Sequence, residues 1–249
     1  MPQRLCKARL FSNPKNSPEA LGPPIYKNIT MFTIKALPFS NYDTTGSDSL
    51  NWIPTEDERK FLKHNAYKCA CCGLVSRPHR DFPSGYMEIF HSSSNKYVLC
   101  NMCMQSQYLG RSVNGKSNHG LIVYCPSLTQ GQLIKLALWA YIARLRGNKF
   151  AASANKLIGM VTKDLVKPAS NCIPGFNNGD VREFTDIYEY MSPKVRKNSS
   201  EILSDLRYWP NEIIFESQVK FWNASAFQNV TDNLEGLCQK DICSKSNMA

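Results

Sequence analysis

No run of apolar residues in the chain is long enough to cross a bilayer. The longest, Leu133 to Leu145, is broken by Lys135 and Arg144 and is predicted to be a buried helix. The first residues, MPQRLCKARLFSNPKNSPEALGPPIYKN, lack the apolar core and small-residue cleavage site of a secretory leader, so no Sec signal is expected. Acidic residues are scarce: 20 Asp and Glu stand against 30 Lys and Arg, giving a net charge of +10. That balance points to a nucleic acid, an anionic membrane or an acidic protein as partner, without choosing among them. There is no internal repeat. Ten cysteines in 249 residues are too dilute for a disulfide scaffold, and the 43% hydrophobic content can build a core without one. A reducing compartment with a metal site is the simpler reading.

The chain divides by composition. Residues 1–28 carry Arg4, Lys7, Arg9, Lys15 and Lys27 against Glu19 and show no apolar periodicity, which predicts a disordered basic arm. Residues 29–227 read as one domain. Residues 228–249 read as a polar tail, in which Cys238 and Cys243 stand apart. Met31 opens a strand-like MFTIKAL and is an alternative start. After a polar loop from Ser40 to Asn51, Thr55 is placed to cap a helix that is acidic at its start and basic at its end. A Pro/Gly-rich turn, YMEIF and then KYVLC predict a β-hairpin. GLIVYCP predicts a strand. Thr129 and Gln132 have capping-box spacing at the head of a long helix that Gly147 should stop. Further helices are predicted at 151–165, 180–191, 200–208 and 211–226, the last carrying Ile213, Ile214, Val219 and Trp222. The fold class is α+β, with a mainly helical C-terminal half.

Four cysteines carry the most specific signal. Cys69 and Cys72 form one C-x2-C turn, and Cys100 and Cys103 form another. Each such turn lets two thiolates converge on a metal, and two turns complete the tetrahedron that Zn2+ favours. The expectation is one structural zinc at these four residues. Cys71 is a competing ligand, and unrelated buried cysteines or an iron–sulfur cluster are the alternatives. A redox role suits a lone pair better than two in tandem.

The order Tyr67, Lys68, Cys69, Cys72, Gly73, then EIFHSSSN, then LCNMC resembles the zinc-stabilised HNH endonucleases, whose ββα module holds a catalytic metal. His91 stands where that family has its general base, and Asn95 where it has its asparagine. Phe90 occupies the metal-liganding position before the base, however, and Met104, Gln105, Ser106 and Gln107 follow Cys103 where a last histidine is needed. The resemblance therefore implies an HNH-like fold with no catalytic residues, His91 being read as a core or structural histidine. An HNH-type metal-dependent endonuclease or a nucleic-acid-binding protein is the alternative.

Beyond the cysteines, the segments GLIVYCPSLTQGQLIKLALWAYIA, ASANKLIG and SEILSDLRYWPNEIIFESQVKFWNASAF resemble the IcmJ (DotN) family. Its members are components of the Dot/Icm type IVB secretion system, and the similarity runs from about Met31 to Phe227. The resemblance implies a zinc-bearing, HNH-like adaptor with added helices that is not an enzyme. It would bind the C-terminal region of the coupling ATPase, together with associated adaptor subunits, and support protein transport. Its place would be the bacterial cytoplasm, at the inner membrane through the ATPase. An apolar groove with aromatic anchors would suit such a partner. Trp139, Tyr141, Tyr208 and Trp222 are candidates, although helical spacing favours a core role for each. Lys135, Arg144 and Arg146 would offer a basic face to acidic segments or lipid, or form a solvated one.

Overall fold

The computed structural model describes residues 53–92, 95–109, 120–192 and 200–227. The predicted arm, the Met31 strand, the 40–51 loop and the tail with Cys238 and Cys243 lie outside them. The described chain runs α1 (Glu56–His64), β1 (Met87–His91), β2 (Lys96–Cys100), α2 (Asn101–Gln107), β3 (Gly120–Tyr124) and α3 (Gln130–Arg146). It continues through α4 (Ala151–Asp164), α5 (Val166–Cys172), α6 (Val181–Tyr190), α7 (Ser200–Asp205), β4 (Leu206–Pro210) and α8 (Glu216–Ala224). This is an α+β fold.

Local chemistry sets the two best-defined helices. Thr55 and Glu58 close a capping box on α1, Glu56, Asp57 and Glu58 face the positive end of its dipole, and Lys63 and His64 face the negative end. Thr129 and Gln132 close a second box on α3, which stops at Gly147 in the left-handed region with φ 58°. Helix α3 buries residues around most of its circumference, from Leu133 and Ile134 to Ala140 and Tyr141, because α2, α4, α8 and β4 all pack on it. It is the central post of the fold.

Each described sheet has two antiparallel strands. Met87 lies opposite Cys100 in β1–β2, and Gly120 lies opposite Pro210 in β3–β4. The second pairing corrects the sequence reading. The helix predicted over 200–208 ends at Asp205, and Leu206–Pro210 is a strand whose residues are all buried. Gln130 caps its outer edge, accepting from the Tyr208 N–H at 2.9 Å and donating to the Tyr208 carbonyl at 2.8 Å. On the opposite side of β3, Leu121 bridges to Asp180, and the Ile122 N–H donates to the Gly179 carbonyl. A buried Arg207 in β4 is tolerated because its guanidinium donates to the carbonyls of Leu128, Ser204 and Leu206. The helix predicted from 211 begins at Glu216, and α5 is an element the sequence reading left out.

Candidate metal centre

The first C-x2-C turn is built by backbone constraints. The Cys69 N–H donates to the Leu74 carbonyl, and the Gly73 N–H returns to the Cys69 carbonyl, each at 2.8 Å. Gly73 takes φ 75°, which a residue with a Cβ reaches only under strain. The Cys72 N–H points at the Cys69 sulfur, 3.5 Å away. Lys68 bridges to Val75 across the turn, and the Ala70 N–H donates to Val98, which fixes the turn against β2. The second pair comes from the hairpin: Cys100 ends β2 as the N-cap of α2, and Cys103 lies one turn inside that helix. The predicted β-hairpin with a cysteine pair at its end is present.

All four residues are buried, and their sulfurs lie within 4.8 Å of one another. Cys72 and Cys100 approach to 3.7 Å between sulfurs. Four thiolates at a tetrahedral Zn2+ stand about 3.8 Å apart along each edge, given a Zn–S bond of about 2.3 Å. Burial works against a thiolate at Cys69, yet hydrogen bonds from Cys100, Cys103 and Cys72 hold it well below the ordinary thiol value. Burial pushes Cys100 and Cys103 well above that value. A buried nest that favours one negative charge and resists a second is suited to receive a cation. The four sulfurs can hold one metal ion, and the donor set fits a closed site with no position left for water.

Three contacts that the sequence reading did not anticipate lock this centre into the fold. Gly131, in the first turn of α3, lies so close to the cysteine turn that a Cβ there would stand 2.1 Å from the Cys71 carbonyl oxygen. The Trp222 indole N–H in α8 donates to the Ser76 hydroxyl at 2.9 Å, and that hydroxyl donates to the Gly85 carbonyl at 2.6 Å. Lys135 lies beside Gly73 and exerts its positive charge on Cys71, which burial and the charges of Cys69 and Cys72 raise overall despite a hydrogen bond with Cys103. The signal for Gly131 was available: a glycine in the first turn of an otherwise strong helix costs stability and needs a packing reason.

The elements β1, β2 and α2 follow one another in the expected ββα order. Phe90 is 4% exposed and packs against the rings of Tyr97 and Tyr108, so the position that would hold a ligand is part of the core. His91 is exposed at the end of β1, which corrects its expected place in the core. Among the described residues, the Cys69, Cys72, Cys100 and Cys103 set is the group able to hold a metal.

The aromatic candidates resolve toward packing. Tyr141, Tyr208 and Trp222 are buried, with the Tyr141 hydroxyl donating to the Pro210 carbonyl at 2.6 Å, and Trp139 is half-buried beside Phe150. Two of the three basic candidates are committed inside the molecule. Arg144 pairs with Glu212 at 2.6 Å, and Arg146 donates to Asn223 and to the Phe227 carbonyl. A groove of about 350 Å³ lies beside that pair, lined by Leu121, Ile158, Trp209 and Ile213 among others. None of the described helices is long and apolar enough to cross a membrane.

No family model matches the chain. It is similar to the type 4 apparatus protein DotN of Legionella pneumophila, with 22% identity over 179 residues, 70% of this chain and 81% of that protein.

Proposed function

We propose that this chain is a non-catalytic, zinc-stabilised adaptor subunit of a type IVB secretion system. On this reading it binds the C-terminal region of the coupling ATPase at the cytoplasmic face of the inner membrane, beside other adaptor subunits, and supports substrate recruitment. The observation that carries the reading is the likeness to DotN, which extends over most of both chains. The closed cysteine centre supports it from the side of chemistry. A metal held by four thiolates offers no open coordination position for a substrate or an activated water, whereas catalytic zinc keeps one.

The zinc assignment follows the same logic. Cys69, Cys72, Cys100 and Cys103 would ligate one Zn2+, joining the turn that follows α1 to the hairpin and α2, while Gly131 and Trp222 transmit that anchorage to α3 and α8. The metal's work is to hold a binding surface in shape.

The test is co-purification of the tagged full chain with the C-terminal region of the coupling ATPase from the same bacterium. The reading predicts a complex that survives size-exclusion chromatography. Separation of the two at micromolar concentration would overturn it, as would plasmid nicking with Mg2+ or Mn2+ that His91→Ala abolishes.

A further inference from the structure

Between Arg59 and Arg80 the sequence holds six Lys and Arg residues and two histidines, and no Asp or Glu. We infer that the outer face of the cysteine turn, formed by Lys63, Lys68, Arg77 and Arg80 around Val75, is a docking surface for an acidic protein segment that carries interspersed apolar side chains.

The fold sets Lys68 and Arg77 on the ladder around Val75, with Lys63 in the last turn of α1 before it and Arg80 in the turn after it. The Ala66 N–H donates to the Lys63 carbonyl, the Ser76 N–H donates to the Tyr67 carbonyl, and Lys68 bridges to Val75. Along this ladder alternate residues face opposite ways. Leu74 and Ser76 point inward and are buried, while Val75 and Arg77 point outward with Lys68. Lys63, Lys68, Arg77 and Arg80 are all exposed and form no ion pair among the described residues.

Three of the four acids at the borders of the stretch are already engaged. Glu56 pairs with Arg59, Asp57 pairs with Lys60, Glu58 closes the α1 cap, and Asp81 lies 3.6 Å from His79. The four cations over the turn therefore face one remaining acid at their border, Asp81, whose N–H donates to His79 Nδ1. The turn is also held in place: it is tied to β2 through Ala70 and Val98 and to α8 through Ser76 and Trp222. A cationic surface on a fixed backbone loses little freedom when it binds, and the two arginine forks match carboxylates in a bidentate manner.

Two observations favour a protein over a nucleic acid. The centre of the patch is apolar, Val75 being 41% exposed between the cations. The neighbouring rings Phe82, Tyr86 and Phe221 pack on one another, so they are engaged in a ring cluster and not set out as a platform for bases. The inference rests on the adaptor reading only for which natural protein supplies the segment.

Fluorescence anisotropy on the full chain tests it, with a short labelled peptide of repeated Glu-Leu-Glu-Glu and an equally charged labelled DNA duplex as probes. The peptide should bind the unaltered chain more tightly than the duplex does. Arg77→Glu with Arg80→Glu should weaken peptide binding about tenfold or more, which is about 1.4 kcal/mol. Reversing the exposed Lys156 and Lys163 of α4, Lys156→Glu with Lys163→Glu, should leave it unchanged. Absent peptide binding at low salt, tighter binding of the duplex, or equal losses in the two double variants would each overturn the surface. The adaptor reading fails separately: a chain that holds the peptide but not the ATPase region keeps the surface and loses that reading. An ATPase region held equally by R77E/R80E does the reverse.

Discussion

Single residues decide whether the cysteine turn sits on the rest of the molecule. Gly131 and Gly159 both lie inside helices, yet a Cβ at Gly131 would meet the Cys71 carbonyl while one at Gly159 would meet nothing within 4 Å. Gly131→Ala must push α3 off the turn and should cost about 2 kcal/mol, the scale of overpacking. Gly159→Ala removes only the entropic cost of a helical glycine and should stabilise by about 0.5–1 kcal/mol. Denaturant unfolding of the two variants checks the opposite signs. Phe90 and His91 show the same dependence on a neighbour. Sequence placed Phe90 where a ligand would be needed, and its packing against Tyr97 and Tyr108 puts a buried apolar ring at that position. His91, one residue on along the strand, points the other way and is exposed.

At the scale of elements, β4 depends on Gln130 for its outer edge. Gln130→Ala leaves the Tyr208 N–H and carbonyl buried without that partner and should destabilise the fold by about 2–4 kcal/mol, with faster amide exchange at Tyr208. Equal stability and unchanged exchange would show that the edge is satisfied otherwise. The same strand marks the limit of what was legible. Helices α1 and α3 announce themselves through Thr55, Glu58, Thr129 and Gln132, because capping chemistry is local. Leu206–Pro210 does not: its partner, β3, precedes it by more than eighty residues, and a strand buried on both faces shows no alternation. Helix α5 carries Pro168 in its first turn, where proline is tolerated, and at seven residues it is too short to show an apolar period. The four cysteines were legible from spacing alone, whereas Ser76 and Gly131, which seat their turn, act through contacts that only the fold creates.

At the scale of the whole molecule, the four-cysteine cluster is the point where the segment after α1, the hairpin, α3 and α8 meet. Cys69 and Cys72 belong to the segment after α1, Cys100 and Cys103 to the hairpin and α2, and α3 and α8 lean on the same turn through Gly131 and Trp222. If a zinc ion joins these pieces, its binding energy is folding energy, and its loss should loosen the docking surface before it touches the β3–β4 sheet. The most direct measurement is metal content paired with thermal unfolding, on the full chain and on Cys103→Ser. The account predicts about one zinc per chain, lost in the variant or on treatment with a strong chelator, with a fall in Tm on the order of 10 °C. A metal-free chain that is folded as purified, with the same Tm in Cys103→Ser, would contradict it.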